Sequence, residues 1–412
     1  LFGVCQLGFS TEDCEKSSND CPACAGSSHQ CLLVMTGAVM TKVAHLTSVH
    51  SRYDIRIFRK QCRTLSQYGY DVYLVVADGK GDEVKDGVRI VDVGVLSGRL
   101  NRILKTTRKI YEQALALGAD VYHFHDPELI PVGLRLKKQG KQVIFDSHED
   151  VPKQLLSKPY MRPFLRRVVA VLFSCYEKYA CPKLDAVLTA TPHIREKFKN
   201  INGNVLDINN FPMLGELDAM VPWASKKTEV CYVGGITSIR GVREVVKSLE
   251  CLKSSARLNL VGKFSEPEIE KEVRALKGWN SVNEHGQLDR EDVRRVLGDS
   301  VAGLVTFLPM PNHVDAQPNK MFEYMSSGIP VIASNFPLWR EIVEGSNCGI
   351  CVDPLSPAAI AEAIDYLVSN PCEAAALGRN GQRAVNERYN WDLEGRKLAR
   401  FYSDLLSKRD SI

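Results

Sequence analysis

From position 40 on, the chain alternates short runs rich in valine, isoleucine and leucine with longer stretches whose apolar residues recur every three or four positions. Continuous apolar runs suit strands covered on both faces, and the helical period suits the elements that cover them, so the alternation reads as α/β with parallel sheets. Strands are predicted at 42–49, 71–76, 88–93, 121–125, 142–148 and 186–191, with helices at 54–67, 101–117, 127–138, 162–180 and 194–198 between them. The less regular, proline-bearing stretch 211–227 interrupts the pattern as a linker. The alternation then restarts, with strands at 230–233, 258–261, 282–285, 303–307 and 329–333, helices at 242–252, 267–276, 290–297 and 318–327, and a helical tail over 357–406. The expected division is an extension outside the core at 1–39, a Rossmann-like domain at 40–210, the linker at 211–227, a second Rossmann-like domain at 228–390, and a last helix at 391–412 packing back on the first domain.

The segment 317–334, QPNKMFEYMSSGIPVIAS, is where the pattern points to chemistry. Pro318 suits a first helical position and Gly328 a stop. On the helix between them Asn319, Lys320, Glu323 and Ser327 share one face, while Met321, Phe322 and Met325 lie mainly on the other. A lysine in the first turn opposes the positive end of the helix dipole, a cost that a bound anion removes. A solvated polar face is the plainer reading of the same spacing. Upstream, Gly234 and Gly235 with Arg240 join a buried strand to a helix, where glycine lets backbone approach a phosphate and arginine adds a bidentate contact. Glycine-rich turns after strands are common; it is the pairing of Arg240 with Lys320 in one domain that suggests a diphosphate. Glu323, one turn beyond Lys320, can accept from the paired hydroxyls of a ribose. Asp315, ahead of the helix, can receive sugar hydroxyls or simply cap a solvated turn. In the first domain, period two sends His123 and His125 of HFHDPE to the same side, and His148 follows in DSHED. Such histidines are most often satisfied core or loop residues, and neither His125 nor His148 has sequence company enough for a zinc or iron site.

Composition narrows the classes. With 44% hydrophobic and 25% charged residues over 412 positions, the chain is of ordinary globular make-up with room for two or three domains. A net charge of +4 is small for this size and does not imply nucleic acid. No apolar run approaches the length of a membrane span. Of 13 cysteines, Cys5, Cys14, Cys21, Cys24 and Cys31 lie ahead of the α/β pattern. Cys21 and Cys24 have zinc-knuckle spacing, yet Cys14, Cys31 and His29 supply only an irregular second pair, so no metal site is expected. The remaining eight are scattered singly, as reduced cysteines of a cytosolic protein are. The stretch RPFLRRVVAVLF at 162–173 joins three arginines to an apolar run, a pattern of interfacial helices at anionic membranes as well as of ordinary core helices.

From about Met40 to the end, the chain resembles the GT4-type glycosyltransferases of the GT-B fold, especially those that assemble bacterial surface polysaccharides. PNKMFEYMSSGIPVIAS and VGGITSIRG carry the likeness. The resemblance implies two Rossmann-like domains facing each other across a cleft, a nucleotide-sugar donor in the second, and a saccharide or lipid-linked saccharide acceptor reached from the first. It implies that Glu323 binds the ribose and that Asp315, shorter than the glutamate usual there, contacts the donor sugar. Gly234, Gly235, Arg240, Asn319 and Lys320 would hold the diphosphate, Gly235 standing in the glycine–arginine–lysine pattern without that pattern's first cation. His125 would lie near the transferred sugar, so that His125, Asp315, Arg240 and Lys320 form the catalytic set. The implied reaction is sugar transfer to a hydroxyl acceptor with retention at the anomeric carbon. No Asp-x-Asp pair occurs, so no metal and no cofactor beyond the nucleotide sugar is expected. The implied location is cytoplasmic, with peripheral contact at the inner face of the cell membrane. A GT-B-fold epimerase would need added carboxylates in the first domain, for which Glu128, Glu149 and Asp150 are candidates. A nicotinamide dehydrogenase lacks its G-x-G-x-x-G after the first strand. A non-catalytic binding protein of the same fold is the third alternative.

Overall fold

The structure, a computed structural model, describes residues 40–157, 161–218 and 221–407. The cysteine spacing at Cys21 and Cys24, with Cys14, Cys31 and His29, lies outside the described residues, as does the rest of 1–39. The residues from Lys42 on form one compact unit.

That unit holds two sheets. The first contains β1 (Lys42–Leu46), β2 (Asp71–Val76), β3 (Glu83–Lys85), β4 (Val88–Asp92), β5 (Val121–Phe124), β6 (Gln142–Ser147), β7 (Ala186–Thr189) and β8 (Val205–Asp207). Their order is β3-β4-β2-β1-β5-β6-β7-β8, parallel except for the β3–β4 pair. The second contains β9 (Glu229–Val233), β10 (Arg257–Val261), β11 (Val282–Gly286), β12 (Ala302–Val305), β13 (Val331–Ser334) and β14 (Gly349–Val352), in the order β11-β10-β9-β12-β13-β14, all parallel. Both sheets reverse strand order in their interior, beside β1 and beside β9, and a crevice opens outside the strand ends at such a point.

Central strands are buried on both faces, as their unbroken apolar runs require: β5, β7, β12 and β13 have no exposed residue. β1, β4, β5, β6, β7 and β12 end one to three residues earlier than the apolar runs suggest, which leaves His125 and His148 just beyond β5 and β6. The sequence reading left out β3, β8 and β14 and the helices Val151–Leu156 and Pro337–Val343. These elements have three to seven residues, too few to establish a period, and tertiary pairing stabilises them.

The helical tail is three helices, Pro357–Ser369, Pro371–Glu387 and Trp391–Ser407. The last returns to the first sheet. Trp391, Leu398, Phe401, Tyr402 and Leu405 are buried in the same core as Val43, Leu65 and Val72. Polar contacts fix its register: Trp391 Nε1 donates to Thr64 Oγ1 at 2.9 Å, and Glu394 accepts from the Asn209 amide at 2.7 Å. The chain thus crosses between the sheets twice, at 209–212 and at Trp391, whose amide donates to Pro212 O at 2.8 Å.

Candidate functional site

A cleft of about 640 Å³ lies between the carboxyl ends of the two sheets. The first sheet's side contributes Asp54, Arg56, His148, Glu149, Lys153 and His193; the second contributes Gly234, Arg240, Arg290, Asp315, Lys320 and Glu323, among others.

On the second side, the helix Asn319–Ser326 starts directly at the cleft with Pro318 as its cap. Met321, Phe322, Tyr324 and Met325 are buried beneath it. Lys320, expected on a polar face, is itself 93% removed from solvent, being 7% exposed. Its ammonium lies 3.6 Å from the centroid of the Tyr232 ring and has no hydrogen-bond partner. Burial and then the neighbouring Arg240 charge push the Lys320 pKa well below its ordinary value. Gly234 follows β9 at φ +113°, and a Cβ there would sit 3.6 Å from the Lys320 nitrogen. Arg240 reaches back to donate to Gly235 O at 3.1 Å, where a Gly235 Cβ would meet its guanidinium at 2.7 Å. Gly234, Gly235, Arg240 and Lys320 therefore form a concave cradle with two cations, one unpaired; Asn319 is at its exposed rim. An orphaned buried ammonium is costly, and an anion in the cradle would satisfy it.

Glu323, one turn deeper, accepts from Arg290 Nη1 at 2.8 Å, and Arg290 also grips Glu216 through two nitrogens at 3.1 and 3.0 Å. Sequence reading missed Arg290, although its signal is the one that singled out Lys320: a cation in the first turn of a helix, here Arg290–Asp299. Asp315 is paired across the cleft. It accepts from Lys153 of the opposite wall at 2.8 Å, with His193 Nε2 at 3.5 Å.

The first side is organised by Asp146, at the end of β6 and fully buried. Its carboxylate takes Arg56 bidentately, at 2.6 and 3.0 Å, and Gln61 Nε2 at 2.8 Å. His125 Nδ1 at 3.2 Å and His148 Nε2 at 3.1 Å approach the same oxygen, and His45 Nδ1 meets His125 Nε2 at 2.9 Å. The register explains the gathering, since β1 and β5 pair His45 with His123 and two residues further brings His125 to the same face. Burial holds His125 down at about 3 and keeps His45 and His123 well below their ordinary value, which favours the neutral form of all three. Burial alone would raise the Asp146 carboxyl, but the Arg56 charge and the histidines outweigh it and hold it well below the usual range.

His125 was expected near the transferred sugar; the structure sets it behind His148, and His148 forms the cleft wall. The histidine company that sequence reading could not see is also here: His125, Asp146 and His148 bring ligand atoms within 3.2 Å of one another. That spacing is near the edge of a zinc tetrahedron. The charge balance argues for hydrogen bonding instead, because the shared Asp146 oxygen is already occupied by Arg56 and Gln61 and a guanidinium lies alongside. Of the carboxylates an epimerase would need, Asp150 caps the helix Val151–Leu156 and pairs with Lys197 at 3.1 Å, and Glu128 pairs with Arg102 at 2.9 Å. Only Glu149 and Asp150 of the three line the cleft.

Two largely parallel sheets facing each other across a cleft define a two-domain protein of the GT-B fold. The family model described as "Glycosyltransferase Family 4" matches residues 55–205, and that described as "Glycosyl transferases group 1" matches 216–384. The chain belongs to the GT4-type glycosyltransferases. It is 23% identical over 189 residues to the capsular polysaccharide biosynthesis glycosyltransferase CapM of Staphylococcus aureus, an alignment covering 43% of this chain and 47% of that one. The chain thus spans about half the length of that relative. Among solved structures, sucrose-phosphate synthase of Thermosynechococcus elongatus superposes with a TM-score of 0.73 at 20% identity, covering 89% of this chain and 100% of that one. HepE of Anabaena in complex with UDP and glucose superposes with a TM-score of 0.68 at 14% identity, covering 88% and 100%. Among the described residues no helix is long and apolar enough to cross a membrane.

Proposed function

We propose that this protein transfers a sugar from a nucleotide sugar to a hydroxyl acceptor, with retention at the anomeric carbon and without a metal ion. The observation that carries the reading is the unpaired, buried Lys320 ammonium beside Arg240 at the Gly234–Gly235 turn. Sugar transfer needs negative charge stabilised on a departing diphosphate, and two preorganised cations and a helix start in a poorly solvated cleft supply that. Glu323, released from Arg290, would receive the ribose hydroxyls. The ligands held by the structurally similar HepE, UDP and glucose, agree with a donor of this class.

The cleft carboxylates Asp54, Glu149, Asp150, Asp315 and Glu323 are each held in a hydrogen bond or ion pair, which supports front-face attack: the acceptor hydroxyl adds on the side the diphosphate leaves, and a leaving phosphate oxygen takes its proton. Asp146 and Arg56 set the orientation of His148 toward that space. The family resemblance supports a saccharide acceptor. The helix Pro163–Ala180 supports presentation of that acceptor on an anionic membrane surface, since only Ala170, Glu177 and Ala180 are buried in it. Phe164 is 80%, Val171 61% and Leu172 64% exposed, beside Arg162, Arg166 and Arg167.

The test is product analysis with a panel of nucleotide sugars, with and without saccharide acceptors, after selection of the donor by thermal stabilisation. Formation of an α-linked product from an α-linked donor, unchanged in EDTA, is the expected result. Inverted product, or activity lost in EDTA and restored by manganese or magnesium, would overturn the corresponding part. Release of an epimerised sugar nucleotide without acceptor would replace the transferase reading.

A further inference from the structure

An ionic contact centred on Lys153 ties the walls of the cleft together on the acceptor side. Lys153, in the short helix Val151–Leu156, donates to Asp315 Oδ2 at 2.8 Å and to His193 Nε2 at 2.8 Å. Just beyond it, Ser157 Oγ donates to Asn312 Oδ1 at 2.8 Å. The neighbouring cation on the same wall, Arg56, is committed to Asp146 and to Ile208 O, within its own domain. Lys153 differs: its carboxylate partner belongs to the opposite domain, and both side chains are accessible, at 32% and 38% exposed. An ion pair of that exposure is worth little by itself and exchanges readily. His193 Nε2, 2.8 Å from the ammonium, remains beside it when the carboxylate leaves.

A second observation comes from what Lys153 is built on. Its helix packs along Pro163–Ala180, the helix with the exposed apolar and arginine-rich face, and Arg166 Nη1 closes the junction by donating to Leu156 O at 3.1 Å. The apolar surface and the cleft lysine therefore belong to one two-helix unit.

We propose that Lys153, backed by His193, is the receiving site for a phosphate or pyrophosphate group on a lipid-linked acceptor. The lipid lies on the Pro163–Ala180 face and the anion displaces Asp315 from Lys153. Asp315 is thereby freed to accept from donor-sugar hydroxyls, which couples arrival of the acceptor to contact with the donor. This inference rests on the transferase reading for its biological setting, but its test does not require turnover.

The experiment measures calorimetric binding of geranyl pyrophosphate, geranyl β-glucoside and glucose 6-phosphate to the wild type, Lys153→Gln and Arg240→Ala, with melting temperatures to verify folding. The expected result is that the wild type and Arg240→Ala bind geranyl pyrophosphate alike, that Lys153→Gln weakens it at least tenfold, that Lys153→Arg restores most of it, and that the other two ligands bind far more weakly. Binding lost in Arg240→Ala and kept in Lys153→Gln would place the pyrophosphate in the donor cradle and overturn the proposal. Equal binding of the neutral glucoside, or no binding of geranyl pyrophosphate, would also overturn it. Equal binding of glucose 6-phosphate would overturn the lipid part. Failure of the transferase reading is seen separately, as absence of sugar transfer from every nucleotide sugar.

Discussion

At the residue scale, the informative side chains are charged groups held where water does not reach. Lys320 is pushed toward its neutral form by burial and Arg240, and an arriving diphosphate reverses that balance. Donor binding is accordingly expected to take up a proton, seen as a calorimetric enthalpy that varies with the ionisation heat of the buffer at about pH 8. Identical enthalpies in all buffers would mean that Lys320 is already charged. Because the leaving charge grows in the transition state, Lys320→Met and Arg240→Ala should each lower kcat by about 10²–10³ with smaller effects on donor affinity. Equal losses in both would assign the cations to ground-state binding alone. The histidines give a pH prediction. His125 is held at about 3, below its ordinary 6.5, so the unfolded chain binds more protons than the folded one between those values. His45 and His123 shift in the same direction. Stability is therefore expected to fall as pH drops through about 6.5, and to fall further below the ordinary range of Asp146, whose folded pKa is depressed. Urea midpoints at pH 7.5 and 5.5 measure this, and a flat profile would mean that the cluster charges in place.

At the scale of elements, the helix Asn319–Ser326 shows how far a pattern carries. Its limits and its two faces were legible from Pro318, Gly328 and the apolar spacing, and the observed helix starts and stops within one residue of them. What the pattern missed is that Lys320 on that face is not solvated: Tyr232, Phe307 and the Gly234 turn of its own domain enclose it. The helix Trp391–Ser407 is the complementary case. Its return to the first domain was expected, but the residues it meets there are set by the return crossing at Pro212 and Trp391. Because Leu398 is fully buried in that core, Leu398→Ala should cost about 2–5 kcal/mol in the urea unfolding free energy. A loss under about 1 kcal/mol would show that the helix is not part of the first sheet's cooperative unit.

At the scale of the whole molecule, apolar surface on the first domain is the feature without an internal partner. Phe164, Val171 and Leu172 gain nothing from the fold, whereas an anionic bilayer would bury them and meet the adjacent arginines. Replacing Arg162, Arg166 and Arg167 together with Glu should abolish co-sedimentation with anionic liposomes while leaving nucleotide binding unchanged. Retained sedimentation by a folded triple variant would sink the membrane reading.

The sequence by itself determined the α/β alternation, the break near 211–227, and the side chains of the cradle, because apolar periodicity, proline and glycine punctuation and a misplaced helix cation are local properties. Tertiary structure alone decided which groups meet across the chain. Strand register put His45 beside His123 and His125, Asp146 tied His125 to His148, the facing walls joined Asp315 to Lys153, and packing within the second domain joined Glu323 to Arg290. These contacts span up to 162 positions, and no spacing along a chain encodes them. They depend on strand order and on how two sheets oppose their carboxyl ends, which is fixed only when both cores are packed.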